Sequence, residues 1–238
     1  MNGDLDAEFG GRGTARYSRL GTVRGVEAIV PASDGRVVLV GTGWDRRLTP
    51  PAENDLTLVG YTSLGRTDRR FGIRGSVATN LASIEEALDG ALQPDGRLVI
   101  AGTAGGWPLE SQFVVLRYLP DGSLDPSFGD DGVATADFGG EAKAYAVAIQ
   151  PDGRIVAAGE ADEAIALARF LPDGTLDTSF GSGGLVRTDA SPGGSSEALE
   201  LVIQPDGKIV VGGLACRLWT VGGAPSCYYA MAVRYLAE

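Results

Sequence analysis

One tight turn recurs four times along this 238-residue chain, each time closing the first apolar strand of a repeated unit. The turns read Ala32-Ser33-Asp34-Gly35, Gln93-Pro94-Asp95-Gly96, Gln150-Pro151-Asp152-Gly153 and Gln204-Pro205-Asp206-Gly207, with aspartates 61, 57 and 54 residues apart. A second marker keeps step: Phe9-Gly10, Phe71-Gly72, Phe128-Gly129 and Phe180-Gly181. A period of this length built from short strands belongs to repeat architectures, in which each unit buries its apolar faces against its neighbours. In the turns Pro pre-sets φ, Asp bonds nearby backbone and Gly takes a positive φ.

The third repeat shows the unit. Apolar strands are expected at residues 144–149, 154–159, 164–170 and 185–188, separated by turn signals at Pro151-Asp152-Gly153 and Pro172-Asp173-Gly174 and by a loop with Leu176-Asp177 and Phe180-Gly181. Four antiparallel strands per unit, stacked radially, make a propeller blade. The expected fold is all-β: one domain over residues 1–238, with repeats near 3–64, 65–121, 122–173 and 174–236. The first expected strand, Thr14-Ala15-Arg16-Tyr17, is of the fourth type and the last, residues 229–235, of the third. Pairing the N-terminal strand with the C-terminal three would complete a fourth blade, close the ring and remove free edges. A four-blade monomer is the expected state; the rival is a dimer closing eight blades.

The pattern Gln-Pro-Asp-Gly-Arg/Lys-Ile-Val followed by Arg-Tyr/Phe-Leu-Pro-Asp-Gly-Ser/Thr-Leu-Asp-x-Ser-Phe-Gly resembles the delta-60 repeat family of bacterial propeller-like proteins. The match is close at 93–102, 117–129, 150–159, 169–181 and 204–213. It is degraded in the first repeat, where Ala32-Ser33 replaces Gln-Pro and Thr67-Asp68-Arg69-Arg70 replaces Leu-Asp-x-Ser. The resemblance implies a β-propeller of the kind found in exported or cell-surface proteins, and no shared catalytic residues.

Composition narrows the chemistry. A net charge of −11 with two lysines, Lys143 and Lys208, argues against a phosphate-binding nucleic-acid surface. No apolar run approaches the roughly 20 residues of a membrane span, and Met1 to Asp6 reads as no signal peptide. The chain has no histidine, which excludes Ser-His-Asp and Cys-His catalysis and His-ligated metals. With Cys216 and Cys227 alone, a four-thiolate zinc site is excluded too. These two cysteines flank an expected hairpin loop and are expected to form a disulfide.

Two sets of residues outside the turns are candidates for function. Trp44, Trp107 and Trp219 each fall between the second and third strands of a repeat, and such loops share one face of a propeller. With Tyr228 and Tyr229 they would form an aromatic platform suited to sugar rings. Near the axis, Glu86 and Asp89 in the second repeat oppose Glu197 and Glu200 in the fourth. Their spacing of three is odd, which puts them on different strand faces unless the strand begins between them. Carboxylates converging on an axis repel unless a cation separates them, so Ca²⁺ is the one ion expected there; no other cofactor is. The leading expectation is a non-catalytic binding module for a carbohydrate or protein partner at the cell surface or outside the cell. The alternatives are a carboxylate-based glycosidase or lyase using Asp45, Glu53, Asp55 or Glu110, with two carboxylates roughly 5–10 Å apart, and a purely structural fragment of a larger surface protein.

Overall fold

The computed structural model describes residues 3–16, 25–43, 55–79, 84–106, 109–217 and 228–236, with the backbone alone at 55, 84–85, 106, 109–110, 217 and 228. Among the described residues, fifteen strands make four antiparallel sheets in a propeller-like, all-β arrangement. The first is β1 (Ala28–Pro31), β2 (Val37–Gly43), β3 (Asp55–Tyr61) and β4 (Ser76–Thr79); the second is β5 (Ile84–Leu92), β6 (Leu98–Gly106), β7 (Leu109–Tyr118) and β8 (Val133–Ala136). The third is β9 (Ala142–Ile149), β10 (Ile155–Ala161), β11 (Ala164–Phe170) and β12 (Leu185–Thr188); the fourth is β13 (Gly194–Ile203), β14 (Ile209–Arg217) and β15 (Tyr228–Tyr235). Each sheet is a meander, its strands neighbouring in chain order. The turn aspartates hold the first connection of each: Asp95 Oδ1 accepts from Arg97 N, and Asp152 Oδ1 from Arg154 N, both at 3.0 Å.

The sheets stack face to face, and each contact is a separate apolar cluster. Val30, Val40, Leu58, Ile100, Leu116 and Tyr118 join the first sheet to the second. Val99, Val115, Phe128, Ile155, Ala157 and Phe170 join the second to the third. Val156, Leu167, Phe180, Leu201 and Val211 join the third to the fourth. The inner sheets are therefore covered on both faces, which explains their unbroken apolar strands. Ala157 and Ala158 on β10 are each 0% exposed although they point to opposite faces.

A staple crosses the first and second of these contacts at the Pro-Asp-Gly end. Gly72 N donates to Asp121 O (2.6 Å) and Gly129 N to Asp173 O (2.7 Å), so the Phe-Gly loop of one sheet locks onto the turn of the next. Gly10 N donates to Leu64 O (2.8 Å) in the same way, so the N-terminal Phe9-Gly10 docks on the first sheet as though it came from a preceding one. Tyr118 OH and Thr79 Oγ1 share a hydrogen bond of 2.7 Å between first and second sheets, and Tyr235 OH donates to Thr188 Oγ1 at 2.9 Å between third and fourth. At the middle contact both equivalents lose the hydroxyl together, as Phe170 and Ala136, each fully buried. Tyr118→Phe is expected to cost about 1–2 kcal/mol by orphaning the Thr79 hydroxyl. The double change Tyr118→Phe with Thr79→Ala should recover most of it in urea denaturation; a double mutant worse than the sum of the two singles would refute the pairing.

One expected feature is missing among the described residues: no ladder joins residues 14–16 to β15. Thr14 instead bridges Gly10 within its own loop. The fourth sheet has three strands with β15 at its edge, and Tyr229 on that strand is 61% exposed. The outer faces of the array carry apolar side chains, Ile29 (63% exposed) on the first sheet and Val202 (59%) on the fourth.

Candidate functional site

The repeated polar residues meet in one network in each of the second and third sheets. Asp125, 2% exposed, accepts from Arg117 Nε (2.8 Å) through Oδ2, and Arg97 Nε stands 2.9 Å from the same oxygen. Its Oδ1 takes Ser127 N (3.0 Å) and Ser127 Oγ (2.6 Å). Arg117 also donates to Pro172 O of the next sheet and lies 4.5 Å above the Phe128 ring. Asp177 repeats the arrangement with Arg169 (2.8 Å), Arg154 (3.0 Å) and Ser179, with Arg169 over Phe180 at 4.4 Å. Burial pushes the Asp125 and Asp177 carboxyls up, but the serine hydrogen bonds and the arginines outweigh it and hold both below the ordinary carboxylate value. These are structural ion pairs buried inside the fold.

The first sheet departs from this plan. Gly60 stands where Arg117 and Arg169 stand, and the Phe71 side chain leans against it: a Cβ there would meet Phe71 Cβ at 2.9 Å. Arg70 replaces Ser127, donating its backbone N–H to Asp68 Oδ1 (3.1 Å) with its Nε at 3.4 Å. A cavity of about 30 Å³ remains between first and second sheets, lined by Arg36, Gly60, Asp68, Phe71 and Pro120 among others.

The inner strands carry the carboxylates at the opposite end, near the β10–β11 turn. Each of β5, β9 and β13 has a bulge: Ala87 and Asp89 pair with Gly102 and Ala101, skipping Leu88, while Tyr145 and Leu199 are skipped in the other two. The extra residue corrects the odd-spacing expectation. Glu86 opposes Thr103 and Asp89 opposes Ala101, so they share one sheet face; Glu197 opposes Leu214 and Glu200 opposes Gly212, likewise. Asp89 Oδ2 accepts from Val147 N (2.8 Å), bridging second and third sheets, and Oδ1 contacts its neighbour Gly90 N (2.7 Å). Burial, with Glu200 adding, raises its carboxyl above the usual value. Tyr145 donates to Glu160 Oε1 (3.0 Å), and burial together with Glu160, Glu197 and Glu86 pushes its phenol up. Burial and Glu160 raise Glu197, against Lys143. The two sides therefore sense each other across the third sheet. Among the described residues no group of three or more Asp, Glu or Cys side chains stands close enough to hold one metal ion.

The same end bears the connections between second and third strands. Residues 44–54, 107–108 and 218–227 hold Trp44, Trp107 and Trp219 and lie outside the described residues, as do Asp45, Glu53 and Cys227. The side chains of Asp55, Glu110 and Tyr228 do too, so Tyr229 alone of the expected platform is described, exposed opposite Ala215. In the third sheet the connection is only Asp162-Glu163, both at positive φ (43° and 66°), a two-residue hairpin turn. Arg187 clamps it through Asp162 Oδ2 (2.8 Å) and Ala161 O (3.0 Å). Cys216, partly buried, stands opposite Tyr228, and its expected disulfide partner Cys227 lies outside the described residues. No described helix is long and apolar enough to cross a membrane.

Residues 93–128, 150–180 and 204–215 match a β-propeller family described as a domain of unknown function (DUF5122). These stretches are the repeats with the complete Arg-Asp-Phe network and the start of the last. No curated protein matches the chain. Among solved structures, a xylan β-1,4-xylosidase from Bacillus halodurans C-125 is similar at 14% identity and a TM-score of 0.43, over 85% of this chain. The chain spans 40% of that enzyme's length.

Proposed function

We propose that this chain is a non-catalytic propeller module that presents a binding face at the end carrying residues 44–54, 107–108 and 218–227. The observation behind the proposal is how the polar residues divide. At the Pro-Asp-Gly end the repeated Asp, Arg and Ser side chains bond one another. The opposite end carries an acidic rim of Glu86, Glu160 and Glu197 around Tyr145, and in the sequence each of the three tryptophans falls between a second and a third strand. Aromatic faces beside hydrogen-bonding carboxylates suit a carbohydrate, or a protein segment rich in hydroxyl and basic groups. An extracellular or cell-surface setting goes with that partner.

The proposal includes closure of the ring by the chain's own ends. Residues 14–17 add to the free edge of β15, and the apolar face with Val202 and Val210 packs on the face with Ile29 and Leu39. The N-terminal Phe9-Gly10 staple and the coupling of Asp89 to Glu200 across one intervening sheet both favour such a small, tightly curved ring. Light scattering tests it: a mass of 24.6 kDa is expected, whereas twice that would replace self-closure with an eight-blade dimer. Binding is tested by titrating soluble glycans against tryptophan fluorescence. A saturable change that Trp107→Ala removes is expected; a flat response across a broad glycan panel, together with no protein captured on the same face, would overturn the module reading.

A further inference from the structure

We propose that the cavity beside Asp68 is a binding site for an alkylguanidinium group, either an arginine side chain of another chain or a small guanidino compound. The protein itself displays the bound form twice. In the second and third sheets an internal guanidinium is held by a buried carboxylate, lies on a phenylalanine ring and reaches a serine hydroxyl; Arg117 adds a proline carbonyl of the next sheet. In the first sheet the carboxylate, the ring and the proline remain, as Asp68, Phe71 and Pro120, while Gly60 removes the arginine.

Asp68 is left short of partners. It is 4% exposed, and both of its hydrogen bonds fall on Oδ1. The cation nearest Oδ2 is Arg36 Nη1 at 3.8 Å, against 2.9 and 3.0 Å for the matching arginines, Arg97 and Arg154. A buried carboxylate oxygen with no donor in hydrogen-bond reach, as Oδ2 is, is costly, so a cation of the missing shape gains there. The cavity of about 30 Å³ exceeds the roughly 10–15 Å³ that one water needs. A planar head enters once Phe71 gives way toward the position Phe128 takes beneath Arg117. The fork of a guanidinium matches a carboxylate edge-on while its face lies on an aromatic ring, which an ammonium cannot do. Arg70 does not fill the place: its side chain is 85% exposed. It does compete for Oδ1, which predicts that Arg70→Ser tightens binding.

The test is calorimetric titration of the intact chain with methylguanidinium at fixed ionic strength, with methylammonium as control. Millimolar binding at least tenfold tighter for methylguanidinium is expected. Asp68→Asn should abolish it, Arg70→Ser should strengthen it several-fold, and Gly60→Arg should occupy the site covalently, removing binding and raising the melting temperature. Equal response to the two cations, or binding that survives Asp68→Asn, would mean that waters alone fill the cavity and the proposal is wrong. An arginine peptide that binds more tightly than methylguanidinium identifies a partner chain as the source; equal or weaker binding of the peptide identifies a small compound.

Discussion

Asp125→Ala is expected to be among the most destabilising single changes in this chain, at about 3–5 kcal/mol, because it strands the buried Arg117 guanidinium without its counter-ion. Arg117 is 5% exposed and its Nε has no other acceptor within the network, so the charge stays buried between two sheets. That figure is a large part of the roughly 5–15 kcal/mol that usually holds a domain together. The turn aspartate Asp95 gives the contrast. It pairs with Arg97 on the surface, its side chain is about half exposed, and Asp95→Ala should cost about 1 kcal/mol or less. Urea denaturation of both variants checks the order; equal costs would show that the buried network contributes no more than a surface pair. The same network sets the response to acid. The native Asp125 and Asp177 carboxyls lie below their unfolded value of about 3.9. Their stabilisation is therefore complete above that pH and is lost as pH falls through the depressed native values. Asp125→Asn should flatten the acid limb of the stability curve.

The Pro-Asp-Gly turns, the strand order within each unit and the recurrent Phe-Gly are legible in the sequence because turn chemistry and apolar runs are local signals. The division of labour within Leu-Asp-x-Ser-Phe-Gly is only half legible. The sequence suggests that Asp caps a turn and Phe fills a gap, but not that Asp125 pairs with an arginine eight residues earlier and another just before β6. That partnership is tertiary. The first repeat is recognisable as degraded at Thr67-Asp68-Arg69-Arg70, yet the consequential change is Gly60, an unremarkable residue in a strand whose meaning emerges only beside Arg117 and Arg169. Aligning the repeats finds the axial carboxylates, but strict alternation misplaces them relative to one another. A bulge shifts that alternation by one and leaves no signal in the residues it displaces, which are Leu88, Tyr145 and Leu199. Its trace lies on the partner strand instead.

That trace is a glycine, and it supplies the second large effect. Gly102, Gly159 and Gly213 sit at the same place on their second strands, where the bulged first strand brings a carbonyl oxygen inward. A Cβ would lie 2.1 Å from Glu86 O, 1.8 Å from Lys143 O and 1.9 Å from Glu197 O, distances no contact tolerates. The clash is with backbone, so no rotamer relieves it. Gly213→Ala must flatten the bulge of β13 or part it from β14. Flattening shifts the register by one residue on one side of the bulge only and puts Glu197 and Glu200 on opposite faces. The expected cost is about 3 kcal/mol or more, at the upper end for overpacked sites. Its neighbour serves as the control. Gly212 lies on the opposite face of the same strand, where an added methyl would meet nothing within 4 Å, and its counterparts in the inner sheets are Ala101 and Ala158. Gly212→Ala should change stability by no more than about 0.5 kcal/mol. The two variants differ by one position and by no composition. A similar melting temperature for both would show that β13 runs straight past β14, which would return Glu197 and Glu200 to opposite faces and remove the acidic rim from the proposed binding face.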